Sequence, residues 1–87
     1  MLRAARHHTM AHLHFLLSEL HRYQRLSAEA TLAIIHIDDL TDLMEDLHVH
    51  GHPVFVSLQD ARLNLVTFQQ TCYQAITVTV QRLDVDK

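Results

Sequence analysis

The stretch His48-Val49-His50-Gly51-His52-Pro53 holds the only glycine and the only proline in a chain of 87 residues. Glycine enters the left-handed region of backbone space without steric cost, and a helix commonly needs such a residue just past its last turn. Proline has no N–H to donate and a φ already near the helical value, which suits it to the first turn of a helix. Gly51 with Pro53 two residues on therefore marks one helix stopping and another starting. The reading divides the chain into two arms joined by a tight turn over residues 49–53.

The first arm carries helical spacing from Met10 onward. Leu13, Leu16, Leu17, Leu20 and Tyr23 share one face, with Phe15 to the side. Residues 1–9 have no periodic apolar face and read as a flexible lead-in, with Thr9 placed to cap the helix. The phase becomes untidy over residues 23–27, where a mild kink is expected because no Gly or Pro forces a break. Leu26, Ala30, Ala33, Ile37, Leu40, Met44 and Leu47 then follow at alternating spacings of four and three. That is the pattern of a seam packing knobs into holes on an adjacent helix. In the second arm Leu58, Ala61, Leu65, Phe68, Cys72, Ala75 and Thr79 repeat the alternation. Helix is expected to about residue 83, with 84–87 as a frayed tail. The β-branched run Ile76-Thr77-Val78-Thr79-Val80 alternates as a strand would. Only Val54-Phe55-Val56 offers it a partner, so helix is preferred.

Two matched seams and a tight turn predict a single small all-α domain, an antiparallel helical hairpin over residues 10–83. The second arm has apolar residues to spare. Val66, Tyr73, Ile76, Val80 and Leu83 run one position round from its seam, and a protein does not keep a large contiguous apolar patch in water without use for it. These five are the candidate partner-binding residues. Size points the same way, because small chains bury a low fraction of their surface and are marginal alone. A self-associating helical bundle is the competing expectation.

Composition narrows the function. Seven Lys+Arg against ten Asp+Glu, a formal charge of −3, argue against a general phosphate-binding surface. Arg3, Arg6, Arg22 and Arg25 make the first third basic only as a scatter. A single cysteine, Cys72, cannot form an internal disulfide and fits a reducing compartment. No apolar run is long enough to span a membrane, and the basic start lacks the apolar core of a signal peptide. A cytoplasmic protein is expected, with no nucleic acid partner. No phosphate loop, His-Glu metal helix or serine elbow occurs, which argues against an enzyme.

Two side-chain clusters stand out. The nine histidines include His48, His50 and His52 across the turn, and His8, His12 and His14 near the start. Imidazoles at such spacings can hold zinc or a similar ion, and a His-rich bundle holding a metal or haem is a further alternative. A structural site wants a fourth ligand, and Cys72 lies far along the second arm, so exposed polar residues are the plainer reading and no cofactor is expected. Asp38, Asp39, Asp42, Glu45 and Asp46 crowd five of the ten acids into nine residues. A run of this kind is usually a solvated face. It is otherwise a docking edge for a basic partner.

A helix starting near Met10, a turn some forty residues on, Pro53 just before the aromatic Phe55, and a closing helix of about thirty residues form a layout over residues 10–83. This layout resembles the small YscE/EscE/SsaE family of type III secretion proteins. The resemblance implies a cytoplasmic helical hairpin that binds a tetratricopeptide-like chaperone and stabilises it, the pair holding the needle subunit before export. Residues 1–9 and the richness in histidine are not part of that layout.

Overall fold

The computed structural model describes residues 2–49 and 51–85, with side chains from Met10 onward. It contains two helices, α1 (Leu2–Asp46) and α2 (Pro53–Val85), and no strand among the described residues. They form the expected antiparallel hairpin, a rod of 69 × 14 × 14 Å. At about 1.5 Å per residue, the 45 residues of α1 account for the whole long dimension. The 33-residue α2 leaves the end of α1 remote from the turn without a neighbour. α1 begins at Leu2 and not at Met10, so Thr9 lies within the helix and does not cap its start. Residues 86 and 87 of the expected tail lie outside the described residues. Asp84 and Val85 are still helical.

α1 passes through residues 23–27 without interruption. Glu19 staples this turn from one helical step back. It accepts from Arg22 Nη1 at 3.0 Å and from the Tyr23 hydroxyl at 2.8 Å. These are the i, i+3 and i, i+4 pairs that support a helix locally. The run 76–80 is helical too. Thr77 and Thr79 turn their hydroxyls back onto the carbonyls of Tyr73 and Ala75, at 3.0 and 2.7 Å. That satisfies the hydroxyls inside the helix and removes the polar cost of burying Thr79.

The turn departs from expectation in which residue ends α1. His48, with φ of 58°, takes the left-handed position, and not Gly51. Val49 N–H bonds to Met44 carbonyl at 3.1 Å and His48 N–H to Glu45 carbonyl at 3.0 Å. Together these are the paired bonds of a Schellman closure. Val49 and Met44 are both half-buried, as the apolar contact accompanying that motif requires. Gly51, with φ of 72°, serves the next bend, closed by His52 N–H on Val49 carbonyl at 3.4 Å. His52 then caps α2: its Nδ1 accepts from Val54 N–H at 3.2 Å and its carbonyl accepts from Phe55 N–H at 2.9 Å. Pro53 occupies the first helical position, where its missing N–H costs nothing. The helix starts there, as the turn chemistry predicts.

The seams are real, but both are rotated from the expected ones. In α1 the buried and half-buried positions are Leu13, Leu16, Glu19, Leu20, Tyr23, Ser27, Ala30, Ala33, Ile34, Ile37, Asp38, Thr41 and Met44. Ala30, Ile37 and Met44 belong to the expected seam and Ala33 is half-buried, whereas Leu26, Leu40 and Leu47 are 46%, 48% and 63% exposed. In α2 Leu58, Leu65, Cys72 and Thr79 face inward as expected and Ala75 is half-buried, while Ala61 and Phe68 are exposed. The alternate inward column of α2 is Arg62, Gln69, Ile76 and Leu83. Four of the six buried side chains are small: Ser27, Ala30, Cys72 and Thr79. Small residues at a crossing let two helix axes approach closely, so the interior favours this narrow, partly polar strip over the leucine-rich one beside it.

Candidate interaction surface

Three cross-links fix how the helices are rotated. Gln59 Nε2 donates to Thr41 Oγ1 at 3.1 Å. Arg62 grips Asp38 with two bonds, Nε to Oδ1 at 2.7 Å and a second nitrogen to Oδ2 at 3.4 Å. Gln69 Nε2 reaches Thr31 Oγ1 and the Ser27 carbonyl, the latter at 3.2 Å. The paired numbers 41 and 59, 38 and 62, 31 and 69 all add to 100, so one register holds along the hairpin. All three links lie on the same side of the seam. The Arg62 guanidinium, hydrogen-bonded to Asp38 and attracting it by charge, holds that carboxyl below the usual carboxylate range despite partial desolvation. Asp38 in turn raises Arg62.

The opposite side has no such links among the described residues. Its outer column recurs every seven residues: Leu26, Ala33 and Leu40 on α1 and Leu47 just past its end, then Val54, Ala61, Phe68 and Ala75 on α2. In an antiparallel pair these two columns lie along one flank, side by side. Within one residue of the register above, Leu47 stands level with Val54, Leu40 with Ala61, Ala33 with Phe68 and Leu26 with Ala75. The column ends one step further out in a charge on each helix, Glu19 and Arg82. Near this end Tyr23, Ala75, Thr79 and Arg82 border a shallow depression. The Glu19 hydrogen bond, followed by the Glu19 charge, pushes the Tyr23 hydroxyl above its ordinary pKa, and the nearby Arg82 acts in the other direction.

The five candidate partner-binding residues do not form one free stripe. Tyr73 and Val80 are 52% and 41% exposed. Val66, Ile76 and Leu83 are half-buried, with Ile76 and Leu83 part of the seam itself. The acidic run divides likewise: Asp38 turns toward α2, while Asp39, Asp42, Glu45 and Asp46 face solvent. Cys72 is buried between the helices as a small apolar group. Of the turn histidines, His48 closes α1 and His52 caps α2 through its ring nitrogen, and His50 lies outside the described residues. Among the described residues no three His, Cys, Asp or Glu side chains are grouped to hold a metal ion. No helix among them is long and apolar enough to cross a membrane.

Apolar spacing alone does not reveal the cross-links, because it takes no account of Gln59, Arg62 and Gln69. A signal was there: Thr31 and Asp38 are seven apart, as are Arg62 and Gln69, which is how polar partners on facing helices must recur. Comparison of the chain with known protein families, with curated proteins and with solved structures returns no match.

Proposed function

We propose that this chain is a non-enzymatic binding module, a cytoplasmic co-chaperone of a type III secretion system. In this reading it binds and stabilises a tetratricopeptide-like chaperone, which holds the needle subunit before export. One observation supports a binding role above others. Among the described residues seventeen large hydrophobic side chains are exposed, while only Leu16, Ala30, Ile37 and Cys72 form the buried apolar core. A hairpin with more apolar surface outside than inside is a subunit awaiting contact. The type III assignment rests on the resemblance in length, turn and apolar spacing.

The docking face of this reading is the outer side of α2 at Tyr73 and Val80, which a groove between helices of a larger partner can accept. Ile76 is set partly into the seam and is a poor probe of it. The test is a pull-down from the native cell with wild type and with Tyr73→Asp/Val80→Asp, the bound chain being identified. A tetratricopeptide protein held by wild type and lost by the double variant, with helicity by circular dichroism unchanged, supports the reading. Wild type that retains no such protein overturns it.

A further inference from the structure

We infer that the apolar flank running from Leu26 to Leu47 and from Val54 to Ala75 is the contact surface for a second copy of this chain, in an antiparallel four-helix bundle. The inference does not rest on the co-chaperone reading, which uses Tyr73 and Val80 on the other side of the seam.

The relief of the flank is the first argument. Reading outward from the turn, Leu40 stands beside Ala61, then Ala33 beside Phe68, then Leu26 beside Ala75. Each of these three levels carries one large and one small side chain, and the large one changes helix at every step; nearest the turn, Leu47 and Val54 are both large and both exposed. A two-fold axis parallel to the helices brings α1 of each copy over α2 of the other at the same levels. Leu40 then faces Ala61 of the second copy, Phe68 faces Ala33, and Leu26 faces Ala75, so at these three levels every projection meets a recess, while Leu47 and Val54 meet as two apolar projections beside the turn. Every neighbouring pair of helices in that bundle runs antiparallel, the up-down arrangement of four-helix bundles.

Charge is the second argument. No charged residue lies in the column between Leu26 and Ala75, so two copies meet there without repulsion. The column's charges are at its outer end, Glu19 on α1 and Arg82 on α2. The same axis sets Glu19 opposite Arg82 of the second copy, twice per dimer. Had both been acids or both bases, the pairing would have been self-defeating.

Area is the third. The shared length of the hairpin is that of α2, about 50 Å, and the rod is 14 Å across. From Leu47 and Val54 out to Glu19 and Arg82 the contact column runs about 42 Å, so it presents about 600 Å² in projection, of the order of the ~800 Å² per partner of a stable protein interface. An axis in this direction leaves Tyr73 and Val80 outside the bundle core, open to another protein.

Sedimentation equilibrium on the full chain at micromolar concentration tests the proposal. Wild type is expected to be a dimer. Glu19→Arg alone and Arg82→Glu alone each place two like-charge pairs in the dimer, and each is expected to weaken self-association at least about tenfold. An equimolar mixture of the two single variants restores opposite charges at both ends, and is expected to form heterodimers as tightly as wild type. Leu40→Asp is expected to give a monomer with unchanged helicity, because Leu40 is outside the hairpin's own seam, whereas Tyr73→Asp leaves the dimer intact. A monomeric wild type overturns the proposal. So does a dimer that Tyr73→Asp breaks and Leu40→Asp does not, or a mixture of the charge variants with no preference for heterodimers.

Discussion

The two flanks of this hairpin are made by the same helices at the same seven-residue spacing, and they do opposite work. On one, Gln59, Arg62 and Gln69 reach across to Thr41, Asp38 and Thr31 and tie the helices together. On the other, Leu26, Leu40 and Phe68 remain 46%, 48% and 42% exposed. The polar flank gives directional bonds that exist at one rotation and one register only, so it specifies the fold while contributing modestly to its stability. The apolar flank contributes little to the single hairpin, because much of its large apolar side-chain surface stays in water. Apolarity alone is therefore a poor guide to the interior of a two-helix protein. The helices bury the strip that permits close approach and satisfied bonds, and the most leucine-rich strip is left beside it.

The largest expected effect tests that division directly. Leu16 is 1% exposed, the most deeply buried side chain among the described residues. Leu16→Ala should cost about 2–5 kcal/mol in urea unfolding. Leu40→Ala, measured at concentrations dilute enough to leave a monomer, should cost less than about 1 kcal/mol because half the side chain is already in water. Equal costs would mean that Leu40 belongs to the seam and that the flanks have been exchanged.

The turn decides which columns reach which flank, so damaging it should be felt next. Gly51 has φ of 72° and nothing within 4 Å of where a Cβ would stand. Gly51→Ala should therefore cost about 1–2 kcal/mol from backbone strain alone. Thermal unfolding that is unchanged in this variant would show that the bend relaxes without loss. His48 sits in the same backbone region with a side chain, and His48→Gly should raise the melting temperature for the mirror-image reason.

A smaller effect is expected at the cap. His52→Ala removes the ring nitrogen that receives Val54 N–H and should cost about 1 kcal/mol. His52→Asp, with a preferred capping side chain and a negative charge at the helix start, should restore or exceed wild-type stability. An Asp variant no better than Ala would remove the capping role.

The smallest effect sharpens the account of the polar flank. The Asp38 carboxyl is held below its ordinary value by Arg62, so its charged form is favoured in the folded chain. A lowered carboxyl contributes stability above its unfolded pKa, about 3.9 for Asp, and loses it as pH falls through the lower folded value. Wild type should thus exceed Asp38→Asn in stability near neutrality, and the two should converge in acid below that range. The difference is small because both partners are substantially in solvent, and added salt should reduce it further. A gap that persists in acid would point to packing and not to the ion pair.

Much of this architecture was legible from residues alone, for identifiable reasons. Gly51 and Pro53 are the only such residues in the chain, and each suits few backbone positions, so a turn between two helices follows from them with little competition. The alternating spacings of three and four required helical arms even through Ile76–Val80, where β-branched residues argued for a strand. Less legible was the closure of α1 by His48, since the left-handed conformation there is imposed by the Met44 and Glu45 carbonyls receiving their bonds and not by the residue's own preference. Within the candidate surface the spacing did not separate Tyr73 and Val80, which are exposed, from Val66, Ile76 and Leu83, which are half-buried.

The sequence by itself determined that the chain folds into two antiparallel helices about one turn, because periodicity and turn chemistry are local properties of consecutive residues. It also determined that apolar residues exceed what two helices can bury, because that depends on composition and size. Only the tertiary structure decided which face of each helix looks inward. Several apolar columns compete within each helix at nearly equal local cost. The choice between them depends on the close approach of Ser27, Ala30, Cys72 and Thr79, and on bonds such as Arg62 to Asp38 between residues 24 positions apart. Those terms exist only once both helices are in place.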